Sequence, residues 1–431
     1  MRRGEGGYHR GLARRRAVNG LDVIYALLVA GTAPWWTRKK RQGWQERLGH
    51  VEPLPAVKPR PRVLVHAVSV GEVSALRPLV PILLEKYDPV ISVSTDTGIV
   101  RARELFGATC RVVRYPLDFS RSVARFLDAV RPDAAALVEM EVWPNFVAAC
   151  AQRGIPAGVI NGRLSAKSFR GYRKIRPFLR GTFERLALVG AQDEAYRERF
   201  IAMGVPGERC RVTGSMKWDA VDLGKVGRGG SERARAIGQA MGIDPGRLLI
   251  VAGSTAEGEE RLLHEACPAG VQLLCAPRRP PRFDEAASAL PGCVRRSSGQ
   301  RREGADRFLL DTIGELSAVY ELADVVVIGR TFTPLRGSDP TEPVGLGKPT
   351  VVGPSMENFE SIAATLEAGR GIVRTSAAEL ALVLRRLVED PQERAATARR
   401  GVECVRVQQG ASRRTAELVG ELLERRMERG S

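Results

Sequence analysis

Cysteine pairs, histidine clusters and long apolar runs are missing from this chain of 431 residues. The seven cysteines stand at 110, 150, 210, 267, 275, 293 and 404, an odd number with no C-x-x-C spacing. That pattern argues against a zinc site and a disulfide framework, and suits a reducing compartment. The four histidines, at 9, 50, 66 and 264, are too dispersed for a metal cluster. No G-x-G-x-x-G turn or P-loop lysine is found, which excludes dinucleotide and Walker-type sites. No short-period repeat points to a solenoid. The longest apolar run, "LDVIYALLVAGTAPWW" (21–36), has 16 residues including Asp22 and Pro34. It is short of the roughly 20 residues of a spanning helix.

What is present is a globular composition, 44% hydrophobic and 27% charged, with a net charge of +18. The length predicts two domains. The charge is unevenly placed: residues 1–60 hold 13 Lys/Arg against 4 Asp/Glu, a net +9. Half the excess therefore surrounds the 21–36 run, between "ARRRA" and "TRKKR", rather than forming a nucleic-acid surface. Aromatics and cations at its border suit an interfacial anchor on an anionic leaflet. A tilted span, a signal peptide lacking its small-residue cleavage site, and a core helix are the other readings.

Continuous apolar runs with helical patterns between them predict parallel sheets covered on both faces. The first set is 62–68, 90–96, 110–117, 134–140, 156–161, 186–192 and 210–215. The second is 248–254, 271–277, 307–312, 324–330, 349–354 and 371–376. A Gly-rich basic stretch, 224–236, separates them. The fold class is α/β, with two doubly wound Rossmann-like domains facing a cleft. The expected divisions are 1–50 (anchor segment), 51–223, a linker at 224–240, 241–405, and a C-terminal helix at 406–431. Helical patterns at 118–130 and 194–203 supply crossovers, and 379–427 reads as helical.

Ligands of such sheets bind beyond the carboxyl ends of the strands, and several motifs fall there. In "HAVSVGE" (66–72), Ser69 and Glu72 have capping-box spacing. Glu72 also stands at a strand exit, where it could take a proton, and Gly71 leaves room for a ligand. In "EMEVWPN" (139–145), Glu139 and Glu141 alternate at a strand end, which predicts opposite faces. They could serve as base, orienter or sugar ligand, or stabilise a helix start. The segment 161–177 carries six cations, among them Arg163, Lys167 and Arg170, and two aromatics. It is either an anion-binding surface or a solvated helix face.

In the second half, Gly253-Ser254-Thr255 lies between strand and helix patterns, an anion site at a helix start. "APRRPPRF" (276–283) offers Arg278 and Arg279 to a phosphate. "DTIGEL" (311–316) places small residues and an acid at a helix start. "DPTEPVGLGKP" (339–349) sets Glu342 before Pro343, where it could accept ribose hydroxyls.

In this order, these segments together resemble the 3-deoxy-D-manno-octulosonic acid (Kdo) transferases of the lipopolysaccharide pathway. These enzymes have the two-domain GT-B glycosyltransferase fold. "ERLG" (46–49), "NGRLSAKSFRGYRK" and "GSMKWD" (214–219) extend the likeness over about residues 21–425. The resemblance implies inverting transfer of Kdo from CMP-Kdo to a lipid A precursor. It makes Glu72 the catalytic base and Glu139 an acceptor-side residue, with Ser69, Gly71, Arg163, Lys167 and Arg170 around the acceptor. It assigns Pro277, Arg278, Gly314, Glu315 and Glu342 to the cytidine nucleotide. Ser254, Thr255, Ile313, Asp339 and Thr341 join them from the same segments. The first domain then binds acceptor and the second nucleotide sugar. No metal or other cofactor is expected, CMP-Kdo being a substrate. The expected partners are CMP-Kdo, a lipid A precursor and the anionic inner-membrane surface at its cytoplasmic face, with no nucleic acid. Arg279 departs from the family's Pro-Arg-His, Arg330 from its Gly-Gly, and Ser338-Asp339 from its His-Asn. All three departures lie on the nucleotide-sugar side.

Overall fold

The computed structural model describes residues 20, 22, 23, 25, 42–56, 59–225 and 230–430. The expected anchor over 21–36 lies outside them, apart from 22, 23 and 25. No helix among the described residues is long and apolar enough to cross a membrane. The chain forms two compact units. Residues Met1–Gly214 and Ser412–Ser431 make the first, Ser215–Ala411 the second. The change of unit at 214/215 precedes the expected linker, and residues Glu232–Met241 of that linker region are mostly helix.

The first unit holds strands β1 (Arg62–Ala67), β2 (Asp88–Val93), β3 (Arg111–Arg114), β4 (Ala134–Val138), β5 (Ala157–Gly162), β6 (Val189–Ala191) and β7 (Cys210–Val212). Their order is β3-β2-β1-β4-β5-β6-β7, with all pairs parallel. Every residue of β1, β4 and β5 is buried. This explains their unbroken apolar runs: helices cover both faces, so no alternation is needed. Between β1 and β4 the direction of winding reverses, which opens the crevice where such sheets hold ligands. Helices α1 (Val70–Ala75), α2 (Ser120–Val130), α3 (Pro144–Gln152) and α4 (Ala166–Lys174) leave or approach this edge.

The second unit repeats the plan with β8 (Leu249–Thr255), β9 (Gln272–Pro277), β10 (Val294–Arg295), β11 (Arg307–Leu309), β12 (Val325–Ile328), β13 (Thr350–Val352) and β14 (Ile372–Arg374). The order β10-β11-β9-β8-β12-β13-β14 puts the reversal between β8 and β12. Only β10 was without a sequence signal; it is two residues long. Helices α5 (Glu259–Ala266), α6 (Leu316–Tyr320) and α7 (Thr341–Gly345) lie beyond the strand ends.

The closing helix (Ala411–Gly430) is not a separate element, as the sequence suggests, but part of the first unit. Leu418, Val419, Leu422 and Leu423 are buried. A Cβ on Gly158 would lie 2.8 Å from the Leu188 carbonyl oxygen and 2.9 Å from Leu422, so β5 needs glycine where it packs against the neighbouring segment and the closing helix. Arg414 donates to the Thr213 carbonyl at 2.9 Å, and Arg211 pairs with Glu421 at 2.7 Å.

Candidate active site

The exit of β1 builds both readings of Glu72 at once. The Ser69 Oγ accepts the Glu72 N–H at 3.3 Å, closing the cap of α1. The Glu72 carboxylate accepts the Val68 N–H and the Ser69 hydroxyl, each at 2.8 Å. These bonds fix the side chain without enclosing it, since Glu72 is only half-buried. Gly71 is exposed, and a Cβ there would meet nothing nearer than the Ser69 Oγ at 3.8 Å. The fold does not require glycine at 71; space above the carboxylate is what it leaves.

Burial, and then the charge of Glu139, push the Glu72 carboxyl above its ordinary range. Glu139 gets there because β4 stops at Val138 and residue 139 turns into the left-handed region with φ of 56°. The expected strand alternation of Glu139 and Glu141 therefore fails. Both approach Glu72, and burial followed by the charges of Glu72 and Glu139 lift Glu141 to about 7. The Trp143 indole N–H donates to Glu141 at 2.8 Å. Arg163, after β5, stands 3.8 Å from Glu139.

His66, on β1, was not singled out as a site residue. It is fully buried and stacked on Tyr115, with ring centroids 3.6 Å apart. Its Nδ1 lies 3.1 Å from the Ser92 carbonyl, so that nitrogen carries the hydrogen and Nε2 is left as acceptor. Burial lowers its pKa to about 3. The 4.0 Å approach of Nε2 to Glu141 is thus a contact with a neutral ring, not an ion pair.

Sequence reasoning also missed Asp118, which follows β3. Its carboxylate accepts the N–H groups of Asn145 at 3.0 Å and Phe146 at 2.8 Å, at the start of α3, and the Tyr25 hydroxyl at 3.2 Å. Burial nevertheless raises it to about 7. Asp22 accepts the Ser120 N–H at 2.9 Å and an Asn145 amide hydrogen at 3.2 Å. Asp22 and Tyr25 are thereby fastened beside a pocket of about 330 Å³. Ser94, Tyr115, Asp118 and Trp143 are among its lining residues. The acid in "YPLD" after a strand was the available signal; its partners are 27 or more residues away.

Lys167 and Arg170 lie on α4, which buries none of its residues. They form an exposed basic face on a helix capped by Ser165, and Tyr172 of the same helix feels the charge of Glu141.

Ionisation of the carboxylate group gives a testable pH effect. Glu141 has a folded value of about 7 against an ordinary 4.5. A raised value means the folded state favours the protonated form. Its stabilising contribution is present below about 4.5 and is lost as pH rises through about 7. The melting temperature should fall from about pH 5 to 7 and level off above that, and Glu141→Gln should flatten the fall. Parallel melting curves of the two proteins across this range would count against the assignment.

In the second unit, the predicted anion site after β8 is arranged differently. The helix begins only at Glu259, after Gly258 in the left-handed region. Thr255 is buried, and its hydroxyl donates to Glu260 at 2.6 Å. Glu259 accepts the N–H groups of Ala256 at 2.9 Å, Arg330 at 2.6 Å and Phe332 at 3.0 Å. The chain's own carboxylates occupy the helix start. Ser254, with φ of 61°, remains half-buried at the edge.

Arg278, Asp339 and Glu342 do come together, around Tyr320. All three charges act on its buried hydroxyl, which burial drives well upward. A Cβ on Gly253 would fall 1.8 Å from that hydroxyl, so β8 needs glycine there. The Arg278 N–H donates to the Thr255 carbonyl at 3.1 Å, following Pro277 at the end of β9. Asp339 accepts the Thr341 N–H at 3.0 Å and its hydroxyl at 2.7 Å. Glu342 is exposed on α7 and accepts the Ser317 hydroxyl. Glu315, just before α6, accepts Thr312 and Arg296. These bonds hold it below the ordinary carboxylate range although burial acts the other way. Gly314 takes φ of 83°, and Ile313 is exposed beside it.

Residues 42–220 match the family described as 3-Deoxy-D-manno-octulosonic-acid transferase (kdotransferase). A protein of Bordetella pertussis named 3-deoxy-D-manno-octulosonic acid transferase is 34% identical, over 93% of this chain and 99% of its own. The chain belongs to the Kdo transferase family. A Haemophilus influenzae transferase of the same name is 30% identical over 89% of this chain and 92% of its own. This Kdo transferase is therefore an enzyme of the glycosyltransferase class. Among solved structures, Anabaena Alr3699/HepE in complex with UDP-glucose is 14% identical, with a TM-score of 0.59. It covers 84% of this chain and 99% of that one. UDP-GlcNAc 2-epimerase from Neisseria meningitidis gives 14% and 0.58, over 84% of this chain and 100% of that one. These likenesses bear on fold alone: two parallel-sheet α/β units of the GT-B type.

Proposed function

We propose that this transferase moves Kdo from CMP-Kdo to a hydroxyl of a lipid A precursor, with inversion at the anomeric carbon. The observation that carries the reading is Glu72. It is a half-buried carboxylate of raised pKa, held by two hydrogen bonds and open on its Gly71 side. A base needs this combination of fixed direction and increased basicity. Glu72 takes the acceptor's proton as that oxygen bonds to the anomeric carbon. The bond from that carbon to the phosphate oxygen breaks, and CMP leaves with the electron pair. Arg278 and the backbone N–H groups near it stabilise the phosphate charge. The reaction needs no metal in this scheme, because the donor's own bond is activated.

Glu139 and its neighbour Arg163 support the acceptor, and the cations of α4 meet its phosphates. The basic first segment holds the enzyme at the cytoplasmic face of the inner membrane. Asp22 and Tyr25, both within that segment, are hydrogen-bonded to Ser120 and Asp118 of the first unit, which supports this reading. The alternative is another nucleotide-sugar donor. Release of CMP from CMP-Kdo, only when the lipid acceptor is present, tests the reading; release from UDP-sugars instead would overturn it.

On the nucleotide side, Glu342→Ala should weaken CMP binding while leaving acceptor KM unchanged. Loss of a hydrogen bond to a charged acceptor corresponds to about 1.5–3 kcal/mol. Calorimetry with CMP reads this directly, and an unaltered Kd would remove Glu342 from the ribose.

A further inference from the structure

Three guanidinium groups meet beyond the switch point of the second sheet. Arg278 and Arg279 follow β9, Arg330 follows β12, and β8 runs between these strands. The loops are fastened together. The Arg278 N–H holds the Thr255 carbonyl at 3.1 Å, and the Arg330 N–H shares Glu259 with Ala256. A Cβ on Gly329 would lie 2.5 Å from the Ser254 oxygen, so the β12 exit lies directly on the β8 exit. Burial first, and then the charges of Arg278 and Arg279, disfavour the Arg330 cation. Glu259 opposes them, but its carboxylate already serves three backbone N–H groups.

The cluster is short of acceptors. Arg278 and Arg279 are exposed, and their side chains make no ion pair or hydrogen bond among the described residues. Arg330 gives one bond, from Nη2 to the Leu335 carbonyl at 2.9 Å. Its Nε is buried without a partner, as are Thr333 Oγ1 and Ser338 Oγ in the loop that follows. Arg330 also has φ of 63°, a left-handed conformation that glycine adopts without strain and a residue with a Cβ does not. A strained, under-bonded cation beside two others fits a site completed by an anion.

We infer that Arg330 and Arg279 bind the carboxylate of the donor sugar, leaving Arg278 to the nucleotide phosphate. This rests on the proposed donor. The sugar of the family's reaction is an acid, so its CMP conjugate carries a carboxylate besides the phosphate. A guanidinium fork matches a planar carboxylate through two parallel hydrogen bonds. The pair then selects acidic sugars over neutral ones and sets the donor's orientation.

The test uses the full chain, with CMP as the probe for phosphate and CMP-Kdo as the probe for phosphate plus carboxylate. Arg330→Ala should leave the Kd for CMP within about twofold and raise the KM for CMP-Kdo about tenfold or more. Arg330→Lys should recover part of that loss, having charge without the fork. Should the alanine variant unfold, Arg330→Gly, suited to the left-handed backbone, carries the comparison. Equal weakening of CMP and CMP-Kdo would assign Arg330 to the phosphate and overturn the inference. No change in either would leave it a loop fastener and also overturn it. Failure of the unmodified protein to bind CMP would instead overturn the donor reading, and this inference with it.

Discussion

Glu72→Gln should lower transfer by about 10²–10⁴-fold, the usual contribution of a general base, with folding and CMP affinity retained. The amide has the size of the carboxyl group. Its oxygen can still accept the Val68 N–H, and its NH₂ can donate to Ser69, so both bonds of the α1 start survive. What it cannot do is take a proton. A purely capping role predicts the reverse: about 0.5–2 kcal/mol of lost stability and near-normal turnover. Melting temperature and single-turnover rate, measured on one sample, separate these outcomes. The geometry makes the two roles compatible, because the bonds that cap the helix also aim the carboxylate.

Glu259→Ala should have the largest effect on the second unit. Its carboxylate is 1% exposed and takes three backbone N–H groups from two loops. Removing it leaves those donors buried without acceptors, at about 1–3 kcal/mol each before relaxation. A total loss of about 3–5 kcal/mol is expected, or roughly 10 °C in melting temperature for a unit of this size. CMP affinity should fall too, since residues 330–332 would lose their attachment beside Arg278. Glu259→Gln, keeping one acceptor oxygen, should fall between. A melting temperature within about 2 °C of the unmodified protein would show that these loops are held by something else.

The sheets were legible because their strands are buried on both faces and read as unbroken apolar runs. The second unit's β10 was not, since two residues carry no pattern. Glu72 was legible as a choice between cap and base, and the structure shows why sequence could not decide: the spacing is the same for both. Glu139 and Glu141 were misread because alternation holds only within a strand, and the left-handed turn at 139 lies just outside β4. The anion site at Ser254-Thr255 was misplaced because three residues separate β8 from its helix. Glu259 and Glu260 then turn inward to fill the helix start. The joining of Asp22, Tyr25, Asp118 and Asn145 spans up to 123 positions, with no local pattern to reveal it. The three-arginine cluster was visible only as two departures from the family's motifs. Its meaning depends on β9 and β12 flanking β8, which is a fact of topology.

The central claim is tested most directly by mass spectrometry of a tetraacylated lipid A precursor incubated with the purified protein and CMP-Kdo. The account predicts that the lipid gains the mass of one or more Kdo residues, and that the gain disappears with Glu72→Gln. An unmodified lipid with the unmodified enzyme would contradict it, as would equal product from the Glu72→Gln protein.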